Sequence, residues 1–231
     1  MEFFFADSAL EKKNSEWKKF ISQHLKTDQV LQVHFDSEVP TIVDAEKRKF
    51  KIDFLNDHLN YNKKKSSISK EPLAKALGGG AKGHKLLDLS AGLGVDAVFL
   101  YQLDFQVTAL ERNPLIYMAL KIASQQIDEK INFIFTDAKE FLQKLKPQDF
   151  DAAYFDPMFP EKKKSALPKQ EMVFFKNLVG QDPDAGDIVK YAVDKKLFKR
   201  FVVKRPISAE PFLKPSGSIE GKIIRYDIYG V

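Results

Sequence analysis

From residue 85 onward, short apolar segments alternate with segments of helical character, and this alternation limits the fold more than any other feature of the chain. Extended segments are predicted at Lys85–Leu89, Gln106–Leu110, Ile131–Phe135, Ala152–Phe155 and Phe198–Lys204. Helices are predicted at Gly94–Leu103, Leu115–Gln126, Lys139–Leu145, Lys169–Val179 and Ile188–Lys195. Strands that are apolar on both faces and separated by helices form a parallel sheet that is covered on both sides. We therefore predict an α/β fold with a doubly wound, mostly parallel sheet, and the extended runs that end in Ile223–Tyr229 predict a terminal antiparallel hairpin.

The N-terminal part of the chain lacks this alternation and reads as a small α+β region over residues 1–60. A helix is predicted at Ser8–Leu25, and extended runs are predicted at Gln29–Phe35, Thr41–Val43 and Phe50–Leu55. The polar and basic segment Asn62–Lys70 is typical of a linker. We therefore predict a domain boundary near residue 60, with a second domain over residues 61–231.

The composition of the 231 residues excludes several classes of protein. Because the chain has no cysteine, disulfides, thiolate nucleophiles and Cys-ligated zinc are excluded, and we expect no metal site. No segment reaches the roughly 20 apolar residues that span a bilayer, and Met1–Lys13 does not resemble a signal peptide because its apolar patch precedes its charges. We expect a soluble protein of the cytoplasm, with no membrane partner.

A strand that runs into a glycine turn and then into a helix is the first motif that carries chemistry, at Leu86–Asp96. Gly92 and Gly94 let a ligand approach the backbone closely, and the helix that begins near Val95 offers free N–H groups. The dinucleotide pattern G-x-G-x-x-G lacks its third glycine because position 97 is Ala. This favours a shorter adenosyl cofactor near Asp88, Gly92 and Gly94, and a tight turn without a ligand is the alternative.

Acidic residues follow the next two predicted strands. Glu111 comes directly after Gln106–Leu110, where a carboxylate accepts hydrogen bonds from both ribose hydroxyls of a nucleoside. Asp137 follows Ile131–Phe135, where a side chain can reach an adenine amino group. The alternative for Glu111 and its neighbour Arg112 is a solvated pair of loop charges.

The segment Asp156-Pro-Met-Phe-Pro160 at the end of the fourth strand is the most informative motif. An exocyclic amine of a purine is a poor nucleophile because its lone pair is delocalised into the ring. An enzyme that alkylates it must accept hydrogen bonds from the amine and hold the base rigidly. The carboxylate of Asp156 and the carbonyl of Pro157 can accept these bonds, and Phe159 offers a plane on which the base can stack. A capped loop with a stray aromatic is the alternative.

Together these motifs resemble the S-adenosylmethionine-dependent methyltransferases of the Rossmann-like class I, with Asp156–Pro160 as a variant of D/N-P-P-Y/F/W in which Met158 replaces the second proline. A closer resemblance, to the ribosomal RNA small subunit methyltransferase J family, covers roughly residues 50–231. It is carried by blocks in one order, at Lys70–Gly78, Leu87–Asp96, Asp156–Leu167, Lys169–Met172, Leu178–Gly180, Val202–Pro206 and Arg225–Tyr229. Ser90 and Val95 differ from the Thr and Arg of the family.

This resemblance implies S-adenosylmethionine as cofactor and methylation of the N2 amine of one guanosine near the 3′ end of 16S ribosomal RNA. It implies cofactor contacts at Val95, Asp96, Glu111, Arg112, Asp137, Ala138 and Asp156. Of these, Arg112 and Ala138 rest on the resemblance alone. The implied partner is 16S ribosomal RNA or the small ribosomal subunit, and we expect the enzyme to act as a monomer.

The positive charge of the chain is concentrated in its last third. Residues 160–231 carry 15 Lys and Arg against 9 Asp and Glu, whereas the rest of the chain is nearly neutral. Such asymmetry is expected where one face of a protein meets a polyanion, although solvated lysines also produce it. Lys164, Lys204 and Arg205 follow the fourth and fifth strands of the predicted parallel sheet, and we predict that they contact RNA phosphates.

Two other functions remain open from the sequence. The Asp-Pro motif recognises an amide-like amine rather than guanine as such, so the chain could methylate adenine N6 or a protein glutamine. A non-catalytic RNA-binding assembly factor with the same fold is the alternative from a different class.

Overall fold

The computed structural model describes residues 1–27, 29, 31–55, 70–79, 82–159 and 170–230. Most of the predicted linker and the predicted RNA contact Lys164 lie outside the described residues.

A four-stranded sheet forms the N-terminal region. Its strands are β1 (Glu2–Phe5), β2 (Leu31–Phe35), β3 (Thr41–Asp44) and β4 (Lys49–Phe50), in that order across the sheet. Helix α1 (Ser8–His24) connects β1 to β2, which run parallel, and Asp7 caps it by accepting a hydrogen bond from Leu10 N at 2.8 Å. Strand β4 ends at Phe50, so the extended run predicted at Phe50–Leu55 is wrong beyond that residue. Strand β1 was not predicted.

The rest of the chain alternates strands and helices as the sequence predicts. The elements are α2 (Pro72–Ala76), β5 (Lys85–Asp88), α3 (Val95–Gln102), β6 (Gln106–Glu111), α4 (Pro114–Ser124), β7 (Asn132–Phe135), α5 (Ala138–Lys144), β8 (Ala152–Phe155), α6 (Gln170–Val179), α7 (Ala185–Asp194), β9 (Arg200–Pro206), β10 (Gly217–Glu220) and β11 (Ile224–Gly230). None of the helices within the described ranges is long and apolar enough to cross a membrane.

These strands form one seven-stranded sheet in the order β10-β11-β9-β8-β5-β6-β7. Strands β5 to β9 pair in parallel, and β11 lies antiparallel between β9 and β10. The predicted α/β class, the mostly parallel sheet and the terminal hairpin are confirmed. The chain moves outward from β5 in one direction through β6 and β7 and then in the other through β8 and β9. Ligands of open parallel sheets bind at such a reversal, outside the carboxyl ends of the strands.

The core lies on both faces of this sheet. Successive residues of a strand point to opposite faces, and accordingly the neighbours Leu86 and Leu87 belong to two different clusters of buried side chains. The cluster around Leu86 also contains Val33 and Phe54 of the N-terminal region. The N-terminal sheet therefore shares a core with one face of the large sheet, and the domain boundary near residue 60 stays a prediction.

Candidate active site

A cleft of about 310 Å³ opens at the carboxyl ends of the parallel strands. Its volume lies within the range of roughly 300–1,000 Å³ that small-molecule sites occupy. Residues at or just beyond the ends of five strands line it, among them Gly92, Glu111, Asp137, Asp156 and Lys204. The topology thus brings together side chains that are more than 100 positions apart in the sequence.

The glycine turn after β5 forms the floor of the cleft. Gly92 has a φ of +52°, a conformation that glycine adopts without strain, and its N–H donates to Glu111 Oε2 at 3.1 Å. A Cβ at this position would lie 3.4 Å from Phe175 Cζ. The turn is therefore shaped by the carboxylate of the neighbouring strand before any ligand binds.

Gly94 does not line the cleft, which differs from its predicted role as a cofactor contact. It precedes α3 with a φ of +76°, and a Cβ would lie 2.8 Å from Leu120 Cδ2 and 2.9 Å from Phe54 Cε1. The glycine is needed because the Phe54 and Leu120 side chains occupy that space. We therefore correct its role from ligand approach to packing.

Asp88 is also removed from direct contact with a ligand. Its side chain is fully buried beneath the turn, where Oδ1 accepts a hydrogen bond from Ser90 N at 3.0 Å. Burial, with further repulsion from the carboxylates of Asp96 and Asp156, raises the pKa of Asp88 to about 8, although the Ser90 N–H opposes the shift. Asp88 is therefore placed as a support of the glycine turn, which corrects its predicted role as a cofactor contact.

Glu111 lies where the sequence predicts an acceptor for ribose hydroxyls, at the end of β6. Its Oε1 accepts from Asn113 N at 2.7 Å, while its Oε2 accepts from the glycine turn. Burial raises the pKa of Glu111 to about 7 against the effect of these two backbone donors. Near neutral pH the carboxyl is therefore held close to its titration point.

Arg112 turns from the strand end toward the segment between α6 and α7. Its guanidinium pairs with the Asp182 carboxylate and donates to Gln181 O at 3.0 Å. Arg112 also lines the cleft, with about a third of its side chain exposed. Arg112, a predicted cofactor contact, therefore lies at the wall of the cleft and is paired with a carboxylate.

The remaining predicted cofactor contacts stand at two helix N-termini. Asp137 caps α5, accepting from Lys139 N at 2.8 Å and Glu140 N at 3.3 Å, and Ala138 beside it lines the cleft. Val95 and Asp96 begin α3 and also line the cleft. Helix N-termini favour negative groups, since their N–H groups are unsatisfied.

Asp156 follows β8 and is held by two neighbouring strand ends. Its backbone N–H donates to Ser90 Oγ at 2.8 Å, and its Oδ2 accepts from Lys204 Nζ at 2.8 Å. Lys204 Nζ also lies 3.1 Å from Asp96 Oδ2, which in turn accepts from Tyr154 Oη at 2.6 Å. The ammonium therefore bridges two carboxylates inside the cleft.

The pKa values of this cluster follow from burial and from the pairing. Burial raises the pKa of Asp156, and the Lys204 charge opposes that shift. Burial lowers the pKa of Lys204, but the carboxylates of Asp96 and Asp156 outweigh it and hold that pKa above its ordinary value. Lys204 therefore stays charged and favours an ionised Asp156.

The predicted RNA contact at Arg205 is wrong. Residues 204 and 205 of β9 face opposite sides of the sheet, and the side chain of Arg205 has no exposed surface. Its Nη1 lies 3.3 Å from Asp227 Oδ2, and its guanidinium stands 5.8 Å from the centre of the Phe212 ring. Arg205 is part of the core and is not available to phosphates.

The aromatic ring that the sequence assigns to the base is already stacked on another ring. Phe159 and Phe212 have centroids 5.7 Å apart and planes inclined by 17°. Phe212 therefore covers one face of Phe159, which is partly exposed but, like Pro157, is not among the residues that line the cleft. Pro157, between Asp156 and Phe159, is buried.

Comparison with known proteins agrees with this geometry. The family model that describes SAM-dependent methyltransferases matches residues 16–231. A ribosomal RNA small subunit methyltransferase J of Bdellovibrio bacteriovorus is 43% identical over 93% of this chain and 89% of its own length. That of Legionella pneumophila strain Corby is 35% identical over 94% of this chain and 93% of its own length.

The chain belongs to the ribosomal RNA small subunit methyltransferase J family. It is an enzyme, a methyltransferase that uses S-adenosylmethionine as its methyl donor. A solved SAM-dependent methyltransferase from Neisseria gonorrhoeae shares its fold, with a TM-score of 0.70 and 24% identity over 99% of this chain and 95% of that chain. A solved protein from Escherichia coli has a similar fold, with a TM-score of 0.51 and 13% identity over 79% of this chain and 91% of that chain. Both share the class I fold. The match to the family model begins at residue 16, upstream of residues 50–231, where the sequence motifs resemble the family.

The charge of the cleft fits the family's cofactor. The lining contains five carboxylates, those of Asp96, Glu111, Asp137, Asp156 and Asp182, against the two cations Arg112 and Lys204. S-adenosylmethionine carries a sulfonium and an ammonium against one carboxylate, and such a lining attracts its net positive charge. Glu111 and Asp137 would hold the nucleoside, and the glycine turn would admit its close approach.

The sequence did not predict the roles that Lys204, Tyr154 and Asp182 have in the site. Lys204 was assigned to RNA, although its position on β9 and the period of a strand could have placed it on the cleft side with Asp156. Tyr154 looked like a core strand residue. Asp182 lies between two helices, where no spacing rule connects it to the strand ends.

Proposed function

We propose that this chain transfers a methyl group from S-adenosylmethionine to the exocyclic N2 amine of a guanosine in 16S ribosomal RNA. One observation carries the proposal, namely that the Asp156 carboxylate lines the same cleft as the glycine turn and Glu111. The curated relatives are named as ribosomal RNA small subunit methyltransferases. The donor side and the acceptor side would thus face one another across neighbouring strand ends.

The loop that begins at Asp156 would prepare the amine. The Asp156 carboxylate accepts one amine hydrogen bond and the Pro157 carbonyl accepts another, so that the nitrogen lone pair is freed from the ring. Phe159 provides the stacking plane, held from behind by Phe212. The bound cofactor supplies a methyl group that is already activated by a positive sulfur. The protein's task is then positioning and electrostatics. As the new N–C bond forms and the S–C bond breaks, the amine must lose one proton, and the Asp156 carboxylate that accepts its hydrogen bond would take it.

Lys204 would keep this acceptor in its working form. A protonated carboxyl loses acceptor capacity, and burial pushes Asp156 in that direction. The ammonium at 2.8 Å opposes protonation. This role in the cleft accounts for Lys204 without an RNA phosphate.

The substrate would reach the cleft as RNA with the target base unstacked. Lys164 remains our proposed phosphate contact, and the basic excess of residues 160–231 supports an RNA-facing surface. We further propose that the enzyme acts as a monomer in the cytoplasm, on 16S ribosomal RNA or on the small ribosomal subunit. Gel filtration of the purified protein tests the monomer.

The test measures transfer of labelled methyl groups to small-subunit RNA from a strain that lacks the enzyme, followed by mass spectrometry of the nucleosides. Wild type should form N2-methylguanosine. Asp156→Ala should lower kcat by about 10²–10⁴-fold, the range for a lost acid–base group. It should retain measurable cofactor binding in calorimetry, since Glu111 and the glycine turn are unchanged. Turnover by Asp156→Ala equal to that of wild type would refute the role of the carboxylate.

Parallel assays with DNA and with a release factor separate the competing amine substrates. Transfer to adenine or to a protein glutamine, with none to ribosomal RNA, would overturn the proposed substrate. Failure of the wild-type protein to bind S-adenosylmethionine in calorimetry would instead support the non-catalytic assembly factor.

A further inference from the structure

Asp182 contacts both sides of the cleft with its two carboxylate oxygens. It lies in the segment between α6 and α7, and 14% of its side chain is exposed. Its Oδ1 pairs with the Arg112 guanidinium, and its Oδ2 accepts a hydrogen bond from Met158 N at 2.7 Å. Arg112 directly follows Glu111, whereas Met158 belongs to the loop that begins at Asp156. Asp182 thus joins the nucleoside side of the cleft to the amine side.

The bond to Met158 determines where the Pro157 carbonyl points. The Met158 N–H and the Pro157 C=O belong to the same peptide unit, which is planar. None of the described peptide bonds is cis, so the N–H and the C=O point in opposite directions. An acceptor that fixes the N–H therefore also fixes the direction of the carbonyl on the other side of the peptide plane.

The same bond also changes the acceptor strength of that carbonyl. A carboxylate is a stronger partner for an N–H group than a neutral acceptor. Hydrogen bonds in a chain polarise one another, so an N–H bound to an anion makes its own carbonyl oxygen more negative. The Pro157 oxygen would then bind an amine hydrogen more tightly.

Arg112 compensates the charge of the partly buried Asp182 carboxylate. An unpaired carboxylate in a partly buried position is costly. The guanidinium pairs with Asp182 and also donates to Gln181 O at 3.0 Å, which fixes the segment that carries Asp182. The ion pair therefore holds the Asp182 carboxylate in place.

We propose that Asp182 is a positioning residue for methyl transfer, which orients and polarises the Pro157 carbonyl through the Met158 N–H. The proposal rests on the proposed function, because the Pro157 carbonyl has this role only if an amine is the methyl acceptor. Asp182 lines the cleft, but in this mechanism it acts on the amine only through the Met158 N–H and the Pro157 carbonyl.

The first test compares Asp182→Ala, Asp182→Asn and the control Asp184→Ala. Asp184 lies in the same segment and 4.0 Å from Arg112, but no hydrogen bond joins it to Met158 among the described residues. Small misplacements of a catalytic group cost up to about 10²-fold in rate. We expect kcat to fall about 10–100-fold in Asp182→Ala, with the KM for RNA and the melting temperature near those of Asp184→Ala. Asp182→Asn keeps an oxygen that can accept from Met158 but loses the negative charge, so its kcat should lie between those of wild type and Asp182→Ala.

A double-mutant cycle with Met158→Pro separates positioning from the ion pair. Proline has no N–H, so the interaction with Asp182 is absent in this background. Asp182→Ala should then cause no further loss of kcat, whereas a role through Arg112 alone would give the same loss in both backgrounds. Should Met158→Pro fail to fold, equal losses of kcat in Asp182→Asn and Asp182→Ala would overturn the proposal.

The wild-type control distinguishes this inference from the proposed function. If wild type forms no N2-methylguanosine, the proposed function fails. If wild type forms it and Asp182→Ala matches Asp184→Ala in kcat, only the positioning role of Asp182 fails.

Discussion

Replacing Gly94 by alanine tests the packing role that the structure gives to this residue. The added Cβ meets two penalties, a φ of +76° and contacts of 2.8 Å and 2.9 Å with the Leu120 and Phe54 side chains. A left-handed conformation costs a non-glycine residue about 1–2 kcal/mol, and overpacking of a core costs about 1–3 kcal/mol. We therefore expect Gly94→Ala to lower the free energy of unfolding by about 2–5 kcal/mol.

Gly79 provides a matched control for the backbone penalty. Its φ is +74°, nearly that of Gly94, but a Cβ there meets no described atom within 4 Å. Gly79→Ala should thus cost only the conformational part, about 1–2 kcal/mol. Because about 1 kcal/mol shifts the melting temperature of a chain of this size by roughly 2–4 °C, Gly94→Ala should melt about 2–12 °C below Gly79→Ala.

The assay is urea unfolding at equilibrium together with thermal melting, followed by fluorescence of Trp17 and by circular dichroism. Equal destabilisation of the two variants would refute the packing argument, because it would leave only the shared backbone conformation. A loss of cofactor affinity in Gly94→Ala without a loss of stability would instead restore Gly94 as a direct ligand contact.

Two further predictions concern pH. Since the pKa of Glu111 is raised to about 7, its ionised fraction falls about tenfold between about pH 8 and pH 6. The affinity for S-adenosylmethionine in calorimetry should weaken by up to that factor, and a Glu111→Gln variant that kept the same dependence would contradict this. Lys204→Met removes the charge that opposes protonation of Asp156, so the pKa of Asp156 should rise and the acidic limb of the kcat profile should move to higher pH. An unshifted limb would show that Lys204 does not control the carboxylate.

The parallel sheet could be predicted from the sequence because its strands are apolar on both faces and separated by helices. The strand ends that carry Glu111 and Asp156 were located to within a residue for the same reason. Each predicted strand ends where the apolar run stops, and the carboxyl ends of parallel strands meet at one edge. The family motifs added the cofactor and the class of reaction.

The errors have different physical causes. Arg205 was assigned to RNA from its charge, but charge alone does not reveal which face of a strand a residue occupies. Gly94 was predicted to contact the ligand. A glycine leaves space beside the backbone, and the sequence does not show whether a ligand or another side chain fills that space. The pairing of Asp182 with Arg112 and Met158 depends on tertiary folding over 70 and 24 positions and leaves no periodic signal.

The packing of Phe54 against Gly94 ties the first fifty-odd residues to the donor pocket. An aromatic ring from the N-terminal sheet region stands directly behind the turn on which adenosine would rest. Exchanging this region between distant relatives would therefore change the packing behind the turn, so chimaeras should be designed with residues 54, 94 and 120 taken from a single parent.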